Sequence, residues 1–251
     1  MSEVGNRPIR EKKKHRLLKL VAALAVIALI ILAIGVFFRT ETIIVEGNTK
    51  YYDSDIIEVS GIPVGKSLYG FDKYEAIEKI QASFAYASEV EIRRRIPDTV
   101  VITITEALPS AVIQQDGVYW LMDSNTRILE KISSERAKEY IDITGITIFE
   151  PAEATEVKAI DENELKLTQL KKLLSALESN DMMSHVTYID LDLVSDIIFC
   201  YEDRLRVNLG DGSDMEYKLR YFLAILSEIP ETDSGTVTFT DSKTARFIMD
   251  L

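Results

Sequence analysis

One cysteine and two histidines are all the chain offers of the residue types that build disulfide frameworks, zinc sites and most nucleophile–base pairs. With Cys200 alone no intrachain disulfide can staple the fold, so an apolar core has to hold it together. Cys200 lies in Ile197-Ile198-Phe199-Cys200-Tyr201, a context that reads as a small buried hydrophobe. His15 falls in a basic N-terminal segment, so a Ser-His-Asp triad would rest on His185 alone. No serine stands in a context that sets it beside a lysine with a burial-lowered pKa, which leaves a serine–lysine pair without support. Internal repeats and low-complexity tracts are absent as well. Positive charge is scarce: 29 Lys and Arg stand against 41 Asp and Glu, a net charge of −12, and seven of the cations crowd into the first nineteen residues. The remainder is acidic enough to be repelled by phosphate backbones and by anionic lipid headgroups, which disfavours nucleic-acid binding.

What the chain has is one long apolar run. Leu20 to Phe38 carries no charged or strongly polar side chain. At ~1.5 Å per residue it extends over roughly 28 Å, close to the ~30 Å hydrocarbon core of a bilayer, and a helix there satisfies its own backbone hydrogen bonds. Arg7, Arg10, Lys12, Lys13, Lys14, Arg16 and Lys19 precede it against only Glu3 and Glu11, so the positive-inside rule puts the N-terminus in the cytoplasm and the bulk of the chain outside. The basic tail also touches membrane lipid. A cleaved signal peptide is the competing reading, with Ala33-Ile34-Gly35 as the small-residue site. The run is longer than the ~7 to 15 residues usual for a signal core, and bulky Val36, Phe37 and Phe38 follow the small residues.

Beyond the run, the patterning predicts an α+β chain. Thr42 to Glu46 reads as a strand ending at Gly47-Asn48; Asp53 or Ser54 caps a short helix with Ile56, Ile57 and Val59, stopped by Gly61. Asp72 with Glu75 makes a capping-box-like start to a second helix whose inner face is Tyr74, Ile77, Ile80 and Phe84. Val90 to Arg95 and Asp98 to Glu106 are strands joined at Ile96-Pro97-Asp98, with Val100, Ile102 and Ile104 facing inward and Val101, Thr103 and Thr105 outward. From Val112 a larger region begins. Val118 to Leu121 and Ile128 to Ile132 form a hairpin, and a strand with a solvated loop surrounds Ile141, Ile143, Ile146 and Ile148. Leu170, Leu173, Leu174 and Leu177 mark a helix. Strands come next at Ile189, Leu191 and Leu193 and at Leu205, Val207 and Leu209. After Gly210-Asp211-Gly212, Ser213 and Glu216 form a capping box for a helix with Met215, Leu219, Phe222, Leu223 and Leu226 on one stripe. Strands at Thr236 to Thr240 and Ala245 to Met249 come last, and they are expected to leave a sheet edge open.

Three patterns invite chemistry and fall short of it. Gly61-Ile62-Pro63-Val64-Gly65-Lys66-Ser67 is one residue shorter than a phosphate-binding loop and comes after a helix rather than a strand, so its glycines read as a turn between helices. Asp190, Asp192 and Asp196 lack the glycine turn and terminal glutamate of a calcium loop. Arg93, Arg94 and Arg95 have two readings of equal weight, a charged strand end or a contact for an acidic partner. No cofactor is implied.

The order of these features resembles the FtsQ/DivIB family of bacterial cell-division proteins. The likeness rests on Val45-Glu46-Gly47-Asn48, Ser60-Gly61, Gly65-Lys66-Ser67-Leu68, Val90 through Pro97, and Val100 through Glu106 with Pro109 and Ala111. Val118-Tyr119-Trp120-Leu121-Met122-Asp123, Val207-Asn208-Leu209-Gly210 and Lys218-Leu219 extend it, whereas Gly235 to Leu251 matches the family pattern only loosely. The resemblance implies a basic cytoplasmic tail (1–19), a transmembrane helix (20–38), a POTRA domain of β-α-α-β-β order (39–111) and a C-terminal mixed β domain (112–251). It implies a non-enzymatic scaffold at the division septum that joins FtsL and a DivIC- or FtsB-type protein and thereby acts, indirectly, on septal peptidoglycan synthases. Two other classes stay open: a membrane-anchored envelope hydrolase, and a POTRA-containing export component, although no membrane β-barrel pattern comes after the domain. Partner contacts are expected from Phe239 and Phe247 as aromatic anchors, from Tyr221, and from Arg93, Arg94 and Arg95.

Overall fold

The computed structural model describes the backbone of residues 10–241 and 244–250, and the side chains of residues 18–31 and of those from 37 onward within these limits. The side chains of tail residues 1–17 and those of the Ala33-Ile34-Gly35 site lie outside the described residues. Helix α1 covers Arg10–Phe37. Among the described residues no helix is long and apolar enough to cross a membrane.

The chain divides into two compact units. One holds residues up to Lys79 together with Val90–Ile104, and the other holds Ile80–Glu89 together with Thr105 onward. In the first, β1 (Thr42–Glu46) lies parallel to β3 (Thr99–Glu106) in a three-stranded sheet of order β1-β3-β2, with β2 at Ala87–Arg95. Helices α2 (Asp53–Ser60) and α3 (Lys73–Ser83) complete the expected β-α-α-β-β order. Gly47 ends β1 at φ 79°, and a Cβ there would collide with the Ile104 carbonyl, so the sheet closes only around glycine. Gly61 is the left-handed C-cap of α2, its N–H reaching Glu58 O.

Local details depart from the sequence pattern for identifiable reasons. The N-cap of α2 is Tyr52, without a side-chain cap; Asp53 already lies in the helix, and the preceding turn is held instead by Asn48, whose Oδ1 accepts from Tyr51 N and whose Nδ2 donates to Tyr51 O. Asp72 does cap α3, accepting from Tyr74 N at 2.8 Å, but Glu75 pairs forward with Lys79 rather than back. Ala76 and Ile80 are buried on α3 and Ile77 is half-buried, whereas Tyr74 points to solvent beneath the Lys73 ammonium. On β3, Val100, Ile102 and Ile104 are buried as expected, and so is Val101, because a central strand is flanked by side chains of both neighbours on either face.

The second unit is built on a nine-stranded sheet of order β12-β11-β10-β9-β8-β7-β4-β5-β6. Strand β4 (Pro109–Gln115) has no counterpart in the sequence reading; it pairs antiparallel with β5 (Val118–Asp123) and parallel with β7 (Ile141–Thr144). Strand β6 is Ile128–Ile132, α4 is Ser134–Ala137, β8 is Val186–Asp190, β9 is Ile198–Tyr201 and β10 is Leu205–Asn208. Helix α5 (Glu164–Ser179) buries Leu167, Leu170, Leu173, Leu174 and Leu177. Helix α6 (Met215–Leu226) buries Met215, Leu219 and Phe222, and its N-cap is Asp214 in the left-handed region; Ser213 instead donates its N–H to Asp211, so no capping box forms. The strand expected through Leu193 stops at Asp190, leaving Leu193 exposed. Cys200 is buried and unpaired, and burial pushes its thiol pKa up.

Within this unit Arg127, in the β5–β6 turn, donates its guanidinium to the carbonyls of Gln81, Phe84 and Ala85, at the end of α3 and just beyond it. Asp123 Oδ1 fixes that turn by accepting Arg127 N at 2.8 Å. Tyr86 Oη donates to Glu130 on β6 at 2.7 Å.

The burial pattern sets a test of the β3 assignment. In urea melts of the whole chain, Ile102→Ala should lose ~2 to 5 kcal/mol and Thr103→Ala about 0.5 or less. Equal losses would place the two faces of β3 wrongly.

Candidate functional site

Two regions hold the residues that the sequence singles out, and they are built differently. The first is the run from β10 to the outer edge of the large sheet. Gly210 and Gly212, both at positive φ, turn the chain from β10 into α6. Lys218 is buried on α6 and donates Nζ to Leu209 O at 2.7 Å, tying the helix back onto the end of the preceding strand. Strand β11 (Gly235–Asp241) then lies parallel to β10, and β12 (Thr244–Met249) lies antiparallel on the far side of β11. Strand β12 is therefore the outermost strand, and β11 has a ladder on both sides. A proline at Thr238 or Thr240, both on β11, would strike an interior strand rather than an edge.

Register decides which side chains this edge presents. Val237 faces Phe247 and Phe239 faces Ala245 on the helix-covered side, while Thr236 faces Ile248 and Thr238 faces Arg246 on the other. Phe239 is buried and meets Tyr221 edge-on at 5.9 Å between ring centroids. Tyr221 and Phe247 are half-buried against the same core. The aromatic anchors chosen from sequence thus serve the core: Phe239 offers no surface, and Phe247 and Tyr221 offer part of one. Thr244, Arg246, Ile248 and Met249 are the exposed side chains of β12, and strict in-out alternation from Ala245 would have marked Arg246 and Ile248. A Cβ on Gly235 would come within 2.7 Å of the Phe247 ring and closer still to Ile248 O, so β12 docks only against glycine.

The arginine triplet does not form one patch. Arg93 makes a bidentate pair with Glu91 at 2.7 and 2.6 Å, which holds the Glu91 carboxyl below its usual range. Arg94 donates to the carbonyls of Leu68 (2.8 Å) and Phe71 (3.2 Å) and lies over the Tyr69 and Phe71 rings. Its role is to hold the 68–71 loop. Arg95 is exposed.

The remaining candidates are occupied locally. In the glycine-lysine-serine loop, Gly65 N donates to Thr40 O and Leu68 N to Phe38 O, so those N–H groups are turned to the chain itself rather than to a phosphate. His185 Nδ1 lies 3.1 Å from Glu202, and the ring stacks on Tyr201. Asp190 accepts from Asp192 N, and Asp196 from Asn208 Nδ2. Among the described residues no group of three or more His, Cys, Asp or Glu side chains could hold a metal ion.

Comparison with known proteins agrees along most of the length. Residues 38–107 match the family model described as POTRA domain, FtsQ-type, and residues 111–241 match that described as cell division protein FtsQ/DivIB, C-terminal. The chain is similar to the cell division protein DivIB of Clostridium botulinum, 26% identical over 235 residues that cover 91% of this chain and 90% of that one. It is also similar to FtsQ of Syntrophotalea carbinolica (24% identical, 92% and 80% covered) and to DivIB of Bacillus subtilis (23%, 91% and 82%).

The close approach at Gly235 has a measurable consequence. Gly235→Ala should speed amide exchange along β12 while leaving β8 and β9 protected. Unchanged exchange at Phe247 and Ile248 would mean that the strand does not depend on this contact.

Proposed function

Because the chain belongs to the FtsQ/DivIB family of cell-division proteins, we propose that it acts by binding, as a membrane-anchored, non-enzymatic scaffold at the division septum. Its partners on this reading are FtsL and a DivIC- or FtsB-type protein, and through them it influences septal peptidoglycan synthases. The observation that carries the reading is the outer edge of β12, which among the described residues is laddered on one side only in a sheet of nine. Such an edge accepts a further strand: backbone hydrogen bonds supply affinity, and alternate side chains, here Arg246 and Ile248, supply selectivity. Phe247 and Tyr221 support it from behind, and Arg93 and Arg95 remain secondary candidates for acidic partner segments.

Anchoring is supported by α1. At ~1.5 Å per residue its 28 residues extend about 42 Å. Leu20, Val21, Leu24, Val26, Ile27, Leu29, Ile30 and Ile31 are exposed on every side of it. Over residues 20–31 the described side chains are apolar and exposed all round, and such a segment is at home in lipid. The domain limits that go with this reading are 1–19 cytoplasmic, 20–38 in the membrane, 39–111 POTRA and 112–251 C-terminal.

Two experiments test the proposal. A reporter active only outside the cytoplasm, fused after Leu251, should be active, and an inactive fusion with intact expression reverses the orientation. For the edge, Ala245→Pro and Arg246→Pro are adjacent, so one of them removes an outward N–H of β12 and spares the ladder to β11. That variant should stay folded and fail to capture the exterior domain of the DivIC-type partner, as should Ile248→Asp. Capture by all three at wild-type affinity rules this edge out as the site.

A further inference from the structure

The segment that mimics a phosphate-binding loop lies where α1 meets the first unit. Helix α1 ends at Phe37, and the next three residues are already pinned: Phe38 O accepts from Leu68 N at 2.9 Å, Arg39 bridges Ser67, Thr40 N donates to Lys66 O at 2.9 Å, and Thr40 O accepts from Gly65 N at 2.7 Å. The helix therefore runs into the unit without a linker. Glu41 N then donates to Asp98 O at 2.8 Å, which brings the β2–β3 turn to the same end. From Phe38 to Glu41 the chain reaches at most about 10 Å.

The side chains gathered there are of two kinds. Phe37, Val64, Tyr69 and Ile96 are 70%, 62%, 55% and 62% exposed. Phe38 meets Phe37 and Tyr69 edge-on, and Arg94 braces the Tyr69 and Phe71 rings from behind. Around them stand Arg39, Lys66 and Arg95, exposed, with Arg94, against the carboxylates Glu41, Asp72 and Asp98. Asp72 is engaged as the cap of α3, and Asp98 accepts from the Thr99 hydroxyl. In a chain of net charge −12, this end sets the exposed cations Arg39, Lys66 and Arg95 among bare apolar and aromatic groups.

We propose that this end of the first unit is a lipid-headgroup-binding face, with Val64, Tyr69 and Phe37 at the boundary of the acyl chains and Arg39 and Lys66 on lipid phosphates. The proposal rests on the reading of α1 as the anchor. If α1 crosses the hydrocarbon core and ends at Phe37, the Phe38–Thr40 ladder falls within the headgroup layer, which adds about 5 to 8 Å on each side of that core. Amphipathic rings favour that depth, long cations reach phosphate from it, and a guanidinium matches phosphate geometry. The loop then holds the unit in one orientation on the bilayer, and it is the exposed Lys66 side chain, not the backbone N–H groups of the loop, that meets the phosphate of a lipid.

Full-length chains with Val64→Cys, Tyr69→Cys, Tyr52→Cys or Ile27→Cys, labelled with an environment-sensitive fluorophore while buried Cys200 stays in place, test this in phosphatidylglycerol-containing nanodiscs. Tyr52, beyond the far end of β1, is the control. Lipid carrying a spin label at the headgroup should extinguish emission at positions 64 and 69 and spare 52, and Arg39→Glu with Lys66→Glu should restore part of it. Emission at 64 and 69 that stays water-like overturns the proposal, as does equal quenching at 52. Shielding that appears only when the membrane segment of a partner protein is added also overturns it and gives the face to that protein. Acyl-chain spin labels report on Ile27 separately. Quenching there with none at 64 removes the lipid face and keeps the anchor, whereas no quenching at Ile27 removes the anchor itself.

Discussion

Phe247, Val237, Val207, Phe199, Ile189, Ile143, Ile113 and Trp120 stand opposite one another in register across eight neighbouring strands, and Lys131 on the ninth lays its ammonium over the Trp120 ring. Helices α5 and α6 cover this row. Fully burying one such aliphatic or aromatic side chain contributes roughly 1.5 to 3 kcal/mol, so the row and its cover are the main source of order in a unit that has no disulfide. The same helices solve a topological problem. The parallel steps β7–β8 and β10–β11 each need a long crossover, and α5 and α6 are those crossovers. Core and connectivity are thus one constraint, and strand order comes from it.

That constraint explains why the aromatic residues near the C-terminal end are not the exposed ones. A crossover helix over β10 and β11 needs large side chains beneath it, and Phe199, Tyr201, Phe222, Tyr221 and Phe239 meet there edge-on. Sequence reasoning ranks Phe239 and Phe247 by residue type, blind to the helix that lies over the strand. Their parity with Val237 and Ala245 holds the answer, because positions in phase with a buried neighbour share its face. The helices and most strands are legible because their apolar periods are long or clean, as in α5 and in β10. Strand β4 escapes because Ala111, Val112 and Ile113 form a continuous apolar run buried on both faces, with no alternation to read. The capping boxes fail differently. Asp72 caps α3 without its glutamate, and at α6 the N-cap is not Ser213 but Asp214, whose own left-handed backbone leaves it without a side-chain cap.

The arginine triplet shows how little a charge run says before its strand is placed. Three adjacent cations look like one patch, but along a strand they alternate. Arg93 spends its charge on Glu91, and Arg94 turns inward to brace a loop, where its planar donors and face suit two carbonyls and two rings at once. A lysine there would keep the charge and lose the geometry.

Binding capacity is therefore distributed by what the core leaves uncovered. In the second unit the apolar row and its helices absorb Phe199, Phe222 and Phe239, and the far side of β12 presents backbone donors and acceptors in strand order. In the first unit the sheet is small, and several large apolar groups stay bare at the end where α1 joins. An unpaired backbone edge selects for an extended peptide, since only a strand can satisfy its alternating groups. Bare rings among cations select for an interface where oil and phosphate lie side by side. The two surfaces thus differ in kind: the chemistry of a strand edge answers to sequence and register, and that of bare rings among cations answers to depth rather than to sequence.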